Sequence, residues 1–103
     1  MSGNDYSGWR KISMSSTAYT ATCAGCSGVT ATGVNLIKNP NTKLIAVDPS
    51  VIPLGSRVYV EGYGYAIAGD TGGAIKGNRI DIFISSLSQA RQWGVRTVNV
   101  YVQ

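Results

Sequence analysis

Histidine is absent from this 103-residue chain, and acidic side chains are scarce. The missing imidazole excludes Ser-His-Asp and Cys-His catalysis, and it also excludes metal sites with histidine ligands. Five carboxylic side chains are present: Asp5, Asp48, Glu61, Asp70 and Asp81. If the protein is an acid/base enzyme, we expect its proton donor among the last four of them.

Long apolar runs and blocks of like charge are also missing. No apolar run approaches the roughly 20 residues needed to span a bilayer, and the N-terminus lacks the basic and apolar regions of a signal peptide. Charged residues make up 14% of the chain, and the net charge of +4 comes from scattered Lys and Arg. This pattern argues against nucleic acid as a partner and suits an anionic cell-wall polymer.

Short β-strands joined by glycine-rich turns dominate what is present. Strand patterns occur over residues 15–22, 44–47, 57–60, 65–68, 79–84 and 97–102. One short helix is predicted over residues 88–93, with serines before it for the N-cap and Gly94 after it for the C-cap. We therefore predict an all-β fold, a small barrel or sandwich with one helix. The domain is assigned to residues 13–103, after an extension or linker over residues 1–12.

Two common meanings of the segment AGDTGGAIKG fail on position or spacing. Asp70-Thr71-Gly72 is the triplet of aspartic proteases, but a retroviral-type half-enzyme has it near the start of the chain. Here it lies about two-thirds of the way along. A phosphate-binding loop requires Gly before the lysine and Ser or Thr after it, whereas Lys76 lies between Ile75 and Gly77.

The two cysteines, Cys23 and Cys26, form a single CAGC motif. Two thiolates with no histidine cannot complete a four-ligand zinc site, and a redox motif of this type belongs to a βαβ unit that the strand pattern does not predict. A local disulfide and two free thiols both stay open. We expect no metal and no other cofactor.

Three of the five acids occur at or near the ends of short apolar strands, beside turns. Asp48 lies in AVDPSVIPLG, Asp70 in AGDTGGAIKG and Asp81 in RIDIFIS. Any one of them alone fits an N-cap or a turn. Three placed in this way in so acid-poor a chain indicate a shared site.

At these residues the chain resembles the three-aspartate (3D) domain. The pattern VDPxxIPLGxxVYV followed by AxDTGGAIKGxxID is similar to that domain from about Thr17 to Val102. The domain occurs in membrane-bound lytic transglycosylase A and in small stationary-phase and spore-associated wall proteins of Gram-positive bacteria. The resemblance implies a closed, six-stranded double-psi β-barrel with a substrate groove. It also implies a secreted protein of the cell wall that acts on peptidoglycan glycan strands.

The family chemistry is lytic transglycosylation, which one carboxyl group can carry out as acid and then base. Asp81 resembles the late acid of distantly related cellulase and expansin-like barrels. Ala21 stands where their base would be, which favours the one-acid route. We expect Asp48 and Asp70 to raise the proton affinity of Asp81, because clustered like charges resist ionisation.

The expected substrate-binding residues are Tyr19, Thr71, Gly72, Gly73 and Lys76. The glycines allow the backbone to approach the substrate, and Lys76 either meets a muramyl carboxylate or is solvated. Tyr19 either flanks the groove or packs in the core. The rival hypotheses are a non-catalytic glycan-binding barrel of the expansin type and a redox protein. A domain-swapped homodimer is a further expectation, since small barrels with long early loops can exchange strands.

Overall fold

A computed structural model of the protein describes residues 8–20 and 29–103. Along the chain its elements are β1 (Arg10–Tyr19), β2 (Leu44–Ala46), β3 (Arg57–Val60), β4 (Gly64–Asp70), β5 (Arg79–Phe83), α1 (Leu87–Trp93) and β6 (Arg96–Val102). The last five strands and the helix lie where the sequence patterns predict them, within one or two residues at their ends.

The strands close into a barrel in the order β1-β5-β2-β4-β3-β6. Two neighbouring pairs are parallel, β1 with β5 and β2 with β4, and the other four pairs are antiparallel. Closure removes the exposed strand edges that would otherwise invite pairing with other chains. The predicted all-β fold class is confirmed, and the arrangement is consistent with a double-psi barrel.

The interior is filled by side chains that alternate along the strands, as expected when one face of each strand is buried. On β3, Val58 and Val60 are fully buried, whereas Arg57 on the other face is exposed. The same alternation on the other strands gives one core, which includes Met14, Ile45, Val47, Ile52, Ile80, Ile82, Val98, Val100 and Val102.

The first strand starts five residues earlier than its sequence pattern suggests. Its residues from Arg10 to Ser16 pair in register with β6, from Val102 back to Arg96. This pairing with β6 holds the segment in a strand through backbone hydrogen bonds. The segment is polar and alternates weakly, so its sequence pattern does not predict a strand. β1 therefore includes residues 10–12, which the sequence analysis places in the extension or linker. Residues 21 and 22 of the predicted strand lie outside the described part of the chain.

Helix α1 closes one end of the barrel. The Ser86 hydroxyl accepts a hydrogen bond from the Gln89 amide at the N-cap, and Gly94 has the positive φ of 61° that a C-cap glycine supplies. Both predicted caps are thus confirmed. Trp93 is buried, and its indole donates to the Ser16 hydroxyl at 3.0 Å. No helix in the described ranges is long and apolar enough to cross a membrane.

Candidate active site

The sheet register brings Asp81 and Asp70 to the same level on either side of β2. Ala46 pairs with Asp81 on β5 and with Asp70 on β4, where the β2–β4 register shifts between Ile45 and Ala46. The two aspartate backbones are therefore two strand spacings apart, about 10 Å. Ala46, the residue between them on β2, carries only a methyl side chain.

Asp81 is half-buried and held by a neighbour on β1. Thr17 is its register partner, and the Thr17 hydroxyl donates to Asp81 Oδ1 at 2.9 Å. Burial raises the pKa of Asp81, and the negative charge of Asp70 raises it further. The Thr17 hydrogen bond and the positive charge of Arg79 act in the opposite direction but do not cancel the effect of burial.

Asp70 anchors the loop that follows the undescribed segment. Its Oδ1 accepts hydrogen bonds from the backbone amides of Ala31 and Thr71, each at 2.9 Å. One residue earlier, the Gly69 carbonyl accepts from the Thr32 hydroxyl at 2.7 Å. A side chain on Gly69 would collide with Leu44, whose Cδ1 would lie 2.5 Å from an added Cβ. This close approach explains why glycine precedes the aspartate.

Tyr19 binds one of the two carboxylates and is influenced by the charge of both. Its hydroxyl donates to Asp70 Oδ2 at 3.4 Å, and its ring packs against Phe83 with centroids 5.7 Å apart. Burial raises the pKa of Tyr19, and the charges of Asp70 and Asp81 raise it further. The tyrosine therefore stays a neutral hydrogen-bond donor. Its ring packs against the small buried cluster of Leu36 and Phe83, and a place beside a substrate groove stays a prediction.

Asp48 lies in a different environment, where it joins two loops. Its Oδ2 accepts from the Gly77 amide at 2.8 Å, and its Oδ1 accepts from the Ser50 amide and hydroxyl at 3.0 and 2.7 Å. The pKa of Asp48 is lowered to about 2. The main cause is the hydrogen bond from Gly77, and the hydrogen bonds from Ser50 and the charge of Lys76 add to it. Gly77 has a φ of 68°, which favours glycine.

The other predicted binding residues lie in the loop after β4. Thr71 and Gly73 are exposed, and an added Cβ on Gly73 would meet no atom within 4 Å. Gly72 makes room instead for Ile75, whose Cγ1 would lie 3.0 Å from an added Cβ. Lys76 is exposed beside Asp48. The roles of these residues in substrate binding stay predictions.

Three groups that act on Asp70 and Asp81 were not singled out from the sequence: the Thr17 hydroxyl, the Ala31 amide and the Arg79 guanidinium. Thr17 begins the stretch over which the chain resembles the 3D domain, so a signal for it existed. Nothing in the sequence around Ala31 points to a backbone contact 39 residues away.

Cys23, Cys26 and Ala21 lie outside the described residues. The open question between a disulfide and free thiols therefore stays as the sequence leaves it. Within residues 8–20 and 29–103, no group of three or more Cys, Asp or Glu side chains is arranged to hold a metal ion.

The chain is similar to a known family and to known proteins. The family model of the 3D domain matches residues 43–103, which include all three aspartates. The cell wall-binding protein YocH of Bacillus subtilis (strain 168) is 63% identical over 99 residues. The match covers 96% of this chain and 34% of YocH, so the chain spans about a third of that relative's length.

Solved structures show the same barrel. The crystal structure of MltA from E. coli superposes with a TM-score of 0.56 at 26% identity, over 72% of this chain and 26% of MltA. A Streptomyces papain inhibitor superposes with a TM-score of 0.64 at 18% identity, over 90% of this chain and 94% of the inhibitor. At that identity the second likeness concerns the fold alone.

Proposed function

The chain belongs to the 3D domain family, and we propose that it is a peptidoglycan lytic transglycosylase with Asp81 as its single acid/base. The observation that carries the proposal is the half-buried Asp81 carboxyl group, whose pKa is raised by burial and by the charge of Asp70. A general acid needs a proton to donate near the working pH, and these two influences favour the protonated form.

In the first step, the Asp81 carboxyl group protonates the oxygen between N-acetylmuramic acid and N-acetylglucosamine. The bond from muramyl C1 to that oxygen breaks, the N-acetylglucosamine hydroxyl leaves, and positive charge develops at C1 and the ring oxygen. In the second step, the muramyl C6 hydroxyl attacks C1 and gives its proton to the Asp81 carboxylate. The product is a 1,6-anhydro sugar, the acid is regenerated, and no water is consumed.

The neighbours of Asp81 have supporting roles in this scheme. Thr17 orients the carboxyl group by binding Oδ1, which leaves Oδ2 to face the glycosidic oxygen. The Asp70 carboxylate stabilises the developing positive charge and holds Tyr19 and the loop around Ala31 in place. Thr71, Gly72, Gly73 and Lys76 line the approach, where Lys76 is available to a muramyl carboxylate.

The substrate assignment is supported by the likeness to E. coli MltA, described as a lytic transglycosylase, and by the name of YocH, a cell wall-binding protein. An enzyme with this substrate works outside the cytoplasmic membrane, so we place the protein in the cell wall as a secreted protein.

A second candidate function is glycan binding without cleavage. The name of YocH states binding and not catalysis, and Ala21 occupies the position of the base in related hydrolases. In this alternative the same groove holds a glycan strand, and Asp70 and Asp81 serve as hydrogen-bond acceptors for sugar hydroxyl groups.

One experiment separates these functions. Purified peptidoglycan is incubated with the protein and with its Asp81→Asn variant, and the soluble products are analysed by mass spectrometry. Anhydro-muropeptides released only by the wild type support the transglycosylase. Products with reducing muramyl ends would indicate a hydrolase. Binding to the wall with no soluble product from either protein would indicate a binding module.

A further inference from the structure

A row of aromatic side chains crosses the outer surface of the barrel on the β4–β3–β6 side. Tyr59 on β3 is paired in register with Tyr65 on β4 and with Tyr101 on β6. Ring centroids lie 4.9 Å apart for Tyr59 and Tyr65 and 6.2 Å apart for Tyr59 and Tyr101. Trp9 extends the row, edge to face with Tyr65 at 6.2 Å. We call these four residues the outer aromatic face.

A cleft of about 540 Å³ opens at one end of this face, lined by Trp9, Tyr65, Ile67, Lys43 and Arg57 among others. Tyr65 and Ile67 keep 44% and 39% of their surface exposed. Adjacent exposed apolar groups of this kind commonly mark binding surfaces. Because strand side chains alternate, these outward groups contribute nothing to the barrel core.

The charges next to the face are predominantly positive. Arg57 is exposed beside the cleft, and Lys11 is the register partner of Tyr101. Lys43 lies over the ring of Tyr63 and donates to its carbonyl at 3.1 Å. Glu61, the acid nearest along β3, accepts hydrogen bonds from Asn99. The face therefore combines aromatic rings with cations.

We propose that the outer aromatic face is a second binding site for the peptidoglycan glycan strand, separate from the Asp81 groove. Pyranose rings present apolar C–H faces that pack on aromatic rings, and the free carboxylates of stem peptides, or of lactyl groups that carry no stem peptide, complement Arg57 and Lys11. This inference rests on the proposed wall substrate but not on the catalytic step.

The two sites are far enough apart to bind different stretches of one polymer. Tyr65 and Asp70 are five residues apart on β4, which corresponds to about 17 Å along the strand. A weak second contact keeps the protein on an insoluble polymer for longer, because binding at one site raises the effective concentration of glycan strand near the other site.

The test is cosedimentation with purified peptidoglycan stripped of phosphate-bearing wall polymers, in the Asp81→Asn background so that the glycan is not consumed. Tyr59→Thr/Tyr65→Thr replaces two rings with β-branched residues, which are well suited to strands. We expect it to weaken binding about tenfold, since aromatic side chains dominate the affinity of many binding surfaces. Arg57→Gln keeps the rings and should weaken binding less, with a smaller dependence on salt.

Matched controls come from helix α1. Leu87→Ala removes an apolar group with 55% exposure, and Arg91→Gln removes an exposed positive charge; neither should change binding. The tyrosine variant with Asp81 intact should cleave soluble muropeptides as fast as the wild type. Slower cleavage would show that the substitutions damage the catalytic site and not only the outer aromatic face.

Three results would overturn the proposal. The first is unchanged binding by Arg57→Gln and by a tyrosine variant whose unfolding temperature shows that it is folded. The second is binding only to walls that retain their phosphate polymers. The third is a wild-type dimer, seen by analytical ultracentrifugation, that the tyrosine substitutions convert to a monomer, since the face would then serve a second copy of the chain.

Discussion

Asp81 lies in the middle of β5 and Asp48 lies two residues after β2, and the protein shifts the pKa values of their carboxyl groups in opposite directions. Asp81 is half-buried with one hydroxyl donor on Oδ1 and another carboxylate nearby, and its pKa is raised. Asp48 lies at the surface with three donors, two of them backbone amides, and its pKa is lowered to about 2. Desolvation dominates the first site, and hydrogen bonds to the charged form dominate the second.

In the proposed function, this difference separates Asp81, which carries out the chemistry, from Asp48, which supports the structure. For Asp48, the folded pKa lies below its ordinary value of 3.8, so its charged form contributes stability above that pH, which is lost as the pH falls toward 2. For Asp81 the sign is reversed. Its folded pKa is raised, so the free energy of unfolding falls as the pH rises from the ordinary value through the raised one.

The largest effect is expected at Asp81. Asp81→Asn is nearly isosteric and removes the transferable proton, so glycan cleavage should fall by at least about 100-fold. At neutral pH the variant should unfold at the same temperature as the wild type or higher, because it no longer buries an ionisable group. Anhydro-muropeptide release and thermal unfolding, measured on one preparation, check both statements. Activity within tenfold of the wild type would exclude Asp81 as the sole acid/base.

The next effect concerns the charge of Asp70. Asp70→Asn keeps an acceptor for the Ala31 and Thr71 amides but removes the negative charge that raises the pKa of Asp81. The alkaline limb of the pH–rate profile should therefore move to lower pH. An unmoved limb, combined with a higher KM, would show that Asp70 acts on substrate binding alone.

Thr17 should move the same limb in the opposite direction, and its hydrogen bond influences the pKa of Asp81 more than the charge of Asp70 does. Its hydrogen bond lowers the pKa of Asp81, so Thr17→Val should raise that pKa while keeping the β-branched shape. Thr17→Ser keeps the hydroxyl and should leave the limb in place. A limb that moves to lower pH in the valine variant would contradict the assigned electrostatics.

The sequence predicts the barrel well because its strands are short, apolar and bounded by turns, and because DTGGAIKG with its flanking aspartates is specific. It predicts the environment of each aspartate less well. The pairing of Ala46 with both Asp70 and Asp81 depends on a register shift between β2 and β4, and such shifts leave no clear sequence pattern. Both Asp48 and Asp70 were expected to raise the proton affinity of Asp81, with the better case for Asp70; the charges that shift the pKa of Asp81 include that of Asp70 and not that of Asp48.

The smallest expected effect tests that distinction. Asp48→Asn removes the negative charge and replaces one of the two acceptor oxygens with an NH2 group, so it cannot accept from both Gly77 and Ser50. The two loops that Asp48 joins should therefore be less stable. At neutral pH the unfolding temperature should fall by a few degrees, and the difference from the wild type should shrink as the pH is lowered from about 4 toward 2. Glu61→Gln removes an exposed acid with weaker contacts, 3.4 and 3.5 Å, and should change the unfolding temperature less. The alkaline limb should stay in place in Asp48→Asn, because the charges that act on Asp81 are those of Arg79 and Asp70. If Asp48→Asn displaced the limb as far as Asp70→Asn does, the loop contact and the catalytic cluster would belong to one electrostatic unit.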